Sequence, residues 1–351
     1  MNGPVVDVHA HVLLPGIEAY VAEIDPDGLA AAKDLDARRN GRESSIESGR
    51  MIQDRWSLLT DLPTRVAVMD ATQVDLQMVS PSPSHYYPFL GPDAALDVAR
   101  QVNAAIENLV GRAPDRLVGL GVAPLQHPDQ MVPALDDALR RGLRGVEIGS
   151  FGASPSGGQA GTVELSDPAL DPFWAAAEKS RAVLFLHPFG CSLDERLDRF
   201  YLANTVSQPA ENAVALSHLI FSGVLDRYPD LVVVAAHGGG YLPTTIGRSD
   251  HAWRVRPESR GCTHPPSTYL RRLWFDSLTH DGAQLAELIR VAGADRVLLG
   301  SDYPFDMGTD DPVAAVRHAG LAEDVVQAIL VDNAAAVLSS PLIHGKEDML
   351  T

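Results

Sequence analysis

Val5-Val6-Asp7-Val8-His9-Ala10-His11, close to the start of the chain, decides how the remainder is read. Val5, Val6 and Val8 are β-branched and favour a strand. Side chains alternate across a strand, so His9 and His11 fall on one face, roughly 7 Å apart along it. Two imidazoles at that separation can lean onto one cation, since zinc takes neutral His nitrogens at about 2.0–2.1 Å. An exposed strand end would carry the same pair. Asp7 is a candidate for orienting a ligand histidine, although simple alternation places it on the same face as His9.

Working outward from this strand, short apolar runs recur along the chain. They are Leu76–Ser80, Leu117–Pro124, Leu143–Ile148, Ala182–Leu186, Leu231–Ala236, Arg272–Ser277 and Arg296–Gly300. Most are separated by segments with helical spacing. The clearest of these is Ala94–Ala113, with Leu96, Ala99, Val102, Ala105, Ile106 and Leu109 on one side. Apolar strands that lack period-two alternation suit a parallel sheet buried on both faces. Eight such units predict an α/β chain folded as a (β/α)8 (TIM) barrel with loop insertions. No repeat or linker divides it, so residues 1–351 are read as a single domain. The main insertion is about 13–63, a strandless excursion that includes a turn at Pro26-Asp27-Gly28. A further irregular stretch is expected over residues 250–266.

Bulk properties narrow the class of function. The chain has 351 residues, 45% hydrophobic and 21% charged, with a formal net charge of −18. Such an acidic protein repels phosphate backbones, which argues against nucleic acid and anionic membranes as partners. An anionic ligand then needs local arginines. Cys191 and Cys262 are the only cysteines, too few for a disulfide framework and suited to a reducing compartment. With a strand starting at Val5 and no long apolar run, the expectation is a soluble, cytoplasmic protein.

The polar residues at the strand ends gain meaning together. His9 and His11 end the first strand, His187 the fifth, His237 the sixth and Asp302 the eighth. In a barrel these ends surround one mouth, where chemistry sits. Singly, each has a structural role available: His187 before a proline turn, His237 in a glycine turn, Asp302 as a helix N-cap. Gathered on one rim they read as a metal site. Trp274 and Phe275 are expected to pack in the barrel, and Tyr86, Phe89 and Trp56 either line a pocket or serve as plain core. Gly238–Gly240 lacks the spacing of a dinucleotide loop.

VDVHAH (6–11), FLHP (185–188), AHGGG (236–240) and LLGSDYPF (298–305) occur in the order and spacing of the amidohydrolase superfamily. The chain resembles its decarboxylase branch, that of aminocarboxymuconate-semialdehyde decarboxylase and γ-resorcylate decarboxylase. The likeness is strongest from about Pro209 to Pro304, including FDSLTHD (275–281). The resemblance implies a metal-containing (β/α)8 barrel, often dimeric. It implies His9, His11, His187 and Asp302 as metal ligands, with His237 beside the metal-bound water as acid/base. The fourth strand ends Val146-Glu147-Ile148-Gly149, without the lysine that would bridge two metals, so one metal is expected. Zn2+ is the first choice, with Mn2+ or Fe2+ also compatible with the donors.

The same resemblance assigns Arg248 to the substrate carboxylate, although a surface arginine on a helix would look alike. It calls for a second arginine after the first strand. Arg50 and Arg55 are the candidates, with Arg50 favoured, and a homodimer would complete the site. The expected activity is nonoxidative decarboxylation of a small unsaturated or aromatic carboxylic acid. The alternatives are a metal-dependent hydrolase or hydratase acting on a ring-cleavage acid or lactone, and a metal-binding protein without catalysis.

Overall fold

The computed structural model describes residues 3–153, 161–190 and 193–338. Its strands are β1 (Val6–Val12), β2 (Leu76–Pro81), β3 (Leu117–Gly119, resuming at Gly121–Val122), β4 (Gly145–Ile148), β5 (Val183–Leu186), β6 (Val232–Ala235), β7 (Trp274–Asp276) and β8 (Val297–Leu298). Neighbouring strands pair in parallel throughout. β3 breaks at Leu120, whose amide donates to Val79 O at 2.9 Å. The ring closes between β8 and β1. Val8 N donates to Leu299 O at 2.9 Å, Asp302 N donates to His9 O at 2.8 Å, and Ala10 bridges Tyr303. The result is the eight-stranded parallel barrel that the apolar runs predict.

Two apolar layers hold it. Val6, Val8, Met78, Leu120, Phe185, Val234, Trp274 and Leu298 fill the interior. Ala10, Val79, Ile148, Leu184, Ala235 and Phe275 face outward against the helices. Trp274 and Phe275 therefore both pack in the barrel, on opposite sides of β7. The helices include α6 (Pro92–Gly111), α7 (Pro128–Arg140), α8 (Asp171–Ser180), α9 (Gln208–Phe221), α10 (Leu242–Val255) and α11 (Gly282–Ala292), numbered to follow five earlier ones. On α6 the buried residues Val98, Ala99, Val102, Ile106 and Leu109 recur at three- and four-residue spacing, which is why that segment is helical and docks on the sheet.

Residues 13–63 were expected to lack strands, and they are almost wholly helical. α1 (Pro15–Ile24), α2 (Pro26–Asn40), α3 (Arg42–Asp54) and α4 (Trp56–Thr60) lead into α5 (Leu62–Ala71). The Pro26-Asp27-Gly28 run is a helix start and not a free turn. Proline suits the first helical position, and Asp25 caps α2 by accepting from Gly28 N at 2.9 Å. Likewise α10 carries helix to Val255, into the stretch read as irregular from residue 250. Among the described residues no helix is long and apolar enough to cross a membrane.

β1 contains the irregularity that matters most. Asp7 pairs with Gln77, whereas Ala10 pairs with Val79. β1 thus spends one residue more than β2 over this interval, a β-bulge. Val6 and Val8 point inward while Val5, Ala10 and Val12 join the outer layer. Strict alternation from Val8 would turn His9 outward. The extra residue lets His9 follow Val8 into the barrel, where its ring lies 4.9 Å from Phe185. His11 follows two residues later. Asp7 therefore does not share a face with His9, as simple alternation had placed it.

Candidate metal centre

His9, His11, His187 and Asp302 converge at the C-terminal ends of β1, β5 and β8. All four are buried, and one ligand atom from each lies within 4.8 Å of the others. His9 Nδ1 donates to Asp276 Oδ2 at 2.6 Å, which leaves the lone pair on Nε2. His11 Nδ1 faces Ser80 Oγ at 3.2 Å and Pro81 O at 3.3 Å. A carbonyl only accepts, so this contact places the proton on Nδ1 and the lone pair on Nε2. The two Nε2 atoms then face each other at 3.0 Å.

Such a pair of lone pairs calls for a proton or a cation between them. Among the described residues neither ring nitrogen of His187 has a hydrogen-bond partner, and neither does Asp302 Oδ1, although all are buried. Asp302 Oδ1 stands 3.3 Å from both His9 Nε2 and His11 Nε2. Buried polar atoms are rarely left unsatisfied. Three imidazoles and a carboxylate aimed at one point suit a divalent cation that takes mixed nitrogen and oxygen donors.

The electrostatics agree. Burial pushes the His9 imidazole down, but the Asp302 and Asp276 carboxylates outweigh it and carry it up to about 10. Burial likewise opposes ionisation of Asp302, yet His9 and the other imidazoles hold it well below the usual carboxylate range. His187 moves the other way. Burial, then the neighbouring His11 and His237, push it well below the ordinary imidazole value. It is a neutral ring with a free lone pair, as a metal ligand must be.

Asp276 was not singled out from the sequence as a site residue. It is fully buried at the end of β7 and ties three parts of the site together. Besides His9 Nδ1, it accepts from His237 N at 2.9 Å and from Gly238 N at 2.7 Å. The neighbouring Trp274-Phe275 run hid it, since the stretch reads as an ordinary strand. Its place within FDSLTHD, at a strand end, was the available signal.

His237 stands beside the cluster, its Nε2 3.7 Å from Asp302 Oδ2. It is aimed there by a turn of successive glycines. Gly238, Gly239 and Gly240 all have positive φ, and a Cβ on Gly240 would lie 2.1 Å from Pro209 O. Only glycine fits that approach.

Glu147, at the lysine-free end of β4, is fully buried, and its Oε1 accepts from Tyr86 OH at 2.5 Å. Tyr86 is thus tied to the wall of the barrel. Phe89 packs against the core, and Trp56 is exposed.

A cavity of about 760 Å³ opens above the cluster, lined among others by His187, His237 and Asp302. Leu13 and, from α3, Ser48, Met51 and Ile52 form one wall, so the helical segment after β1 shapes the pocket. Among the described residues that line it there is no lysine or arginine. Arg248 is exposed on α10 and makes no side-chain hydrogen bond or ion pair among the described residues. Arg50 is exposed on α3 and pairs with Glu47 at 2.5 Å. Arg55 is half-buried and donates to Pro304 O at 2.9 Å. The structure thus gathers His9, His11, His187, His237 and Asp302, and leaves the three arginines off the cavity wall of their own chain.

Against known proteins, the amidohydrolase family profile matches residues 6–339. The chain is 33% identical over 310 residues to the 2-amino-3-carboxymuconate-6-semialdehyde decarboxylase of Dictyostelium discoideum, covering 86% of this chain and 82% of the relative. It is 28% identical over 267 residues to the γ-resorcylate decarboxylase of Rhodococcus jostii, covering 71% of this chain and 79% of that one. A dihydroxybenzoic acid decarboxylase from Polaromonas, solved with bound manganese and 2-nitroresorcinol, superposes with a TM-score of 0.79 at 21% identity. That match covers 97% of each chain and establishes the shared fold.

Proposed function

The chain belongs to the amidohydrolase family and to its decarboxylase branch, and on that premise we propose that it is a metal-dependent nonoxidative decarboxylase of a small unsaturated or aromatic carboxylic acid. The observation that carries the reading is the buried His9–His11–His187–Asp302 cluster, in which the His187 ring nitrogens and Asp302 Oδ1 have no hydrogen-bond partner among the described residues, at one end of a cavity of about 760 Å³. These four residues would hold one divalent metal ion. Zn2+ suits three imidazoles and a carboxylate, and Mn2+ is the metal bound in the Polaromonas relative. When bound, such an ion supplies Lewis-acid chemistry.

The chain's own residues supply the rest. Loss of CO2 leaves an electron pair on carbon, which must take up a proton. His237 lines the cavity beside Asp302, and imidazole both accepts and donates protons near neutral pH. His237 holds the proton at its ring nitrogen and passes it to the carbon that CO2 has left. Asp276 fixes the His237 backbone through its amide, so the ring meets the substrate in one orientation. The apolar wall of Leu13, Met51 and Ile52 limits water around the developing carbanion.

The scissile carboxylate needs a strong cation, and among the described residues no lysine or arginine lines the cavity. Arg248 is proposed for that role together with Arg50 or Arg55, and a homodimer would bring an arginine of one protomer to the cavity of its partner.

The test is CO2 release by the Zn2+- and Mn2+-loaded protein from a panel of carboxylated muconate semialdehydes and hydroxybenzoates. The expected result is release from one class of acid. His237→Ala should cut turnover by about 10²-fold or more with metal content unchanged. No release from any acid, with metal stoichiometrically bound, would overturn the reading in favour of hydration or hydrolysis of a ring-cleavage acid or lactone.

A further inference from the structure

We propose that His280 is a specificity residue that binds a second anionic oxygen of the substrate, apart from the group held at the metal cluster. The inference rests on the reading of this cavity as a carboxylic-acid site. His280 lines the same cavity as His187, His237 and Asp302. It is exposed there, and its side chain makes no hydrogen bond or ion pair among the described residues.

The backbone places it deliberately. His280 has φ 58°, in the left-handed region, which costs a non-glycine residue energy unless its surroundings impose it. The loop is anchored on both sides. Asp276, the residue that holds His9 and His237, also accepts from Leu278 N at 3.2 Å. Asp281 caps α11 by accepting from Ala283 N at 2.8 Å and Gln284 N at 3.0 Å. Between these anchors Thr279 Oγ1 donates to Asp281 O at 3.0 Å. Among the non-glycine residues with positive φ, Tyr201, His237, His280 and Asp302 all line this cavity. Backbone strain is concentrated around this cavity.

Charge makes the choice of partner. Among the described residues the cavity wall carries the carboxylates of Asp302 and Asp306 but no lysine or arginine. Its ionisable bases are His187, His237 and His280. His187 belongs to the metal cluster and His237 is committed to proton transfer, so of the described bases on the wall His280 is the one free to pair with an anion. Asn40, Asn204 and Gln208 offer neutral donors, but none carries charge. A carboxylate or phenolate beyond the scissile group is the chemistry His280 recognises.

Binding of benzoate, isophthalate and terephthalate to the Zn2+-loaded full chain tests this without a known substrate. The second carboxylate of the better-placed dicarboxylate should tighten binding about tenfold over benzoate, as one charged hydrogen bond allows. His280→Gly, which accepts the left-handed backbone, should erase that margin and leave benzoate within about twofold. His280→Asn, which tolerates the same backbone and keeps a neutral donor, should retain part of it. No margin in the natural chain, or a margin that survives His280→Gly, overturns the proposal. CO2 release is scored separately. Turnover with an unmoved margin removes His280 and keeps the decarboxylase, whereas a margin lost in His280→Gly with no CO2 from any acid keeps the anion site and removes the decarboxylase.

Discussion

Asp276 and His9 meet through a 2.6 Å hydrogen bond from the ring Nδ1 to Oδ2, and the same oxygen takes the backbone amide of His237. One carboxylate thus sets the tautomer of a proposed ligand and the position of the proposed proton carrier. A buried carboxylate behind a ligand histidine raises its basicity and fixes its ring, and losing it costs about 10–100-fold in metal affinity. Asp276→Asn keeps the shape and removes the charge. Chelator competition should show metal held about 10–100-fold more weakly, with the far-ultraviolet circular dichroism unchanged. Native affinity in Asp276→Asn would show that the shape of the side chain suffices.

Arg65 is a fully buried arginine on α5. Its guanidinium donates to Gln77 Oε1 at 2.6 Å and to His11 O at 2.5 Å, and lies 4.7 Å from the centre of the Tyr303 ring. Gln77 in turn donates to Asp7, which also accepts from Ser301 Oγ at 2.6 Å and from His9 N at 3.1 Å. The network ties the β1, β2 and β8 ends that carry three of the four proposed ligands. Burial lowers the Arg65 guanidinium to about 10, so it remains charged at neutral pH. Arg65→Met leaves Gln77, the His11 carbonyl and Asp7 without their cation. Urea unfolding should register a loss of about 3–5 kcal/mol, and Arg65→Lys should recover only part of it because one ammonium replaces a two-pronged donor. Full recovery by lysine would mean that charge alone is needed.

These two residues show where the sequence is legible and where it is not. The barrel is legible because each apolar run is a local signal, and the strand-end rule then lifts His9, His11, His187, His237 and Asp302 out of twelve histidines and many acids. Asp276 and Arg65 act through partners far away in sequence, which no local pattern announces. Arg65 reads as a helix-surface arginine, and only the fold buries it. The bulge in β1 is equally silent. Val-Asp-Val-His-Ala-His looks like clean alternation, and the extra residue is set by register against β2. The helices of residues 15–60 were missed because proline and glycine near Asp25 look like a turn when the cap is not considered.

Removal of the metal should destabilise the fold. His187 and Asp302 present buried atoms that no other described residue satisfies, so an ion bound only to the folded state adds RT ln(1 + [L]/Kd), about 4 kcal/mol at a thousandfold excess over Kd. Calorimetry of protein stripped with a chelator should show the melting temperature lowered by several degrees, restored by stoichiometric Zn2+ or Mn2+. In His187→Ala the same additions should restore little. A melting temperature indifferent to chelator would count against a metal at this cluster.

His85 gives the protein an acid-sensitive joint away from that cluster. Its Nε2 accepts from Leu14 N at 3.0 Å, and Nδ1 pairs with Tyr87 OH at 2.9 Å. The ring must be neutral to accept at Nε2, and burial pushes it down to about 4. The unfolded chain protonates near 6.5. A group depressed in the folded state contributes its stability in full above the unfolded value and loses it as pH falls through the folded one. The window is therefore about pH 6.5 to 4, and the gap is worth about 3 kcal/mol. Leu14 adjoins Leu13 on the cavity wall, so the loss should begin with the helical segment after β1. His85→Gln keeps an acceptor for Leu14 and cannot titrate. Urea midpoints taken from pH 7.5 to 4 should fall more steeply for the natural chain than for His85→Gln, the two curves separating by about 3 kcal/mol at the acid end. Parallel curves would assign the acid sensitivity to other groups.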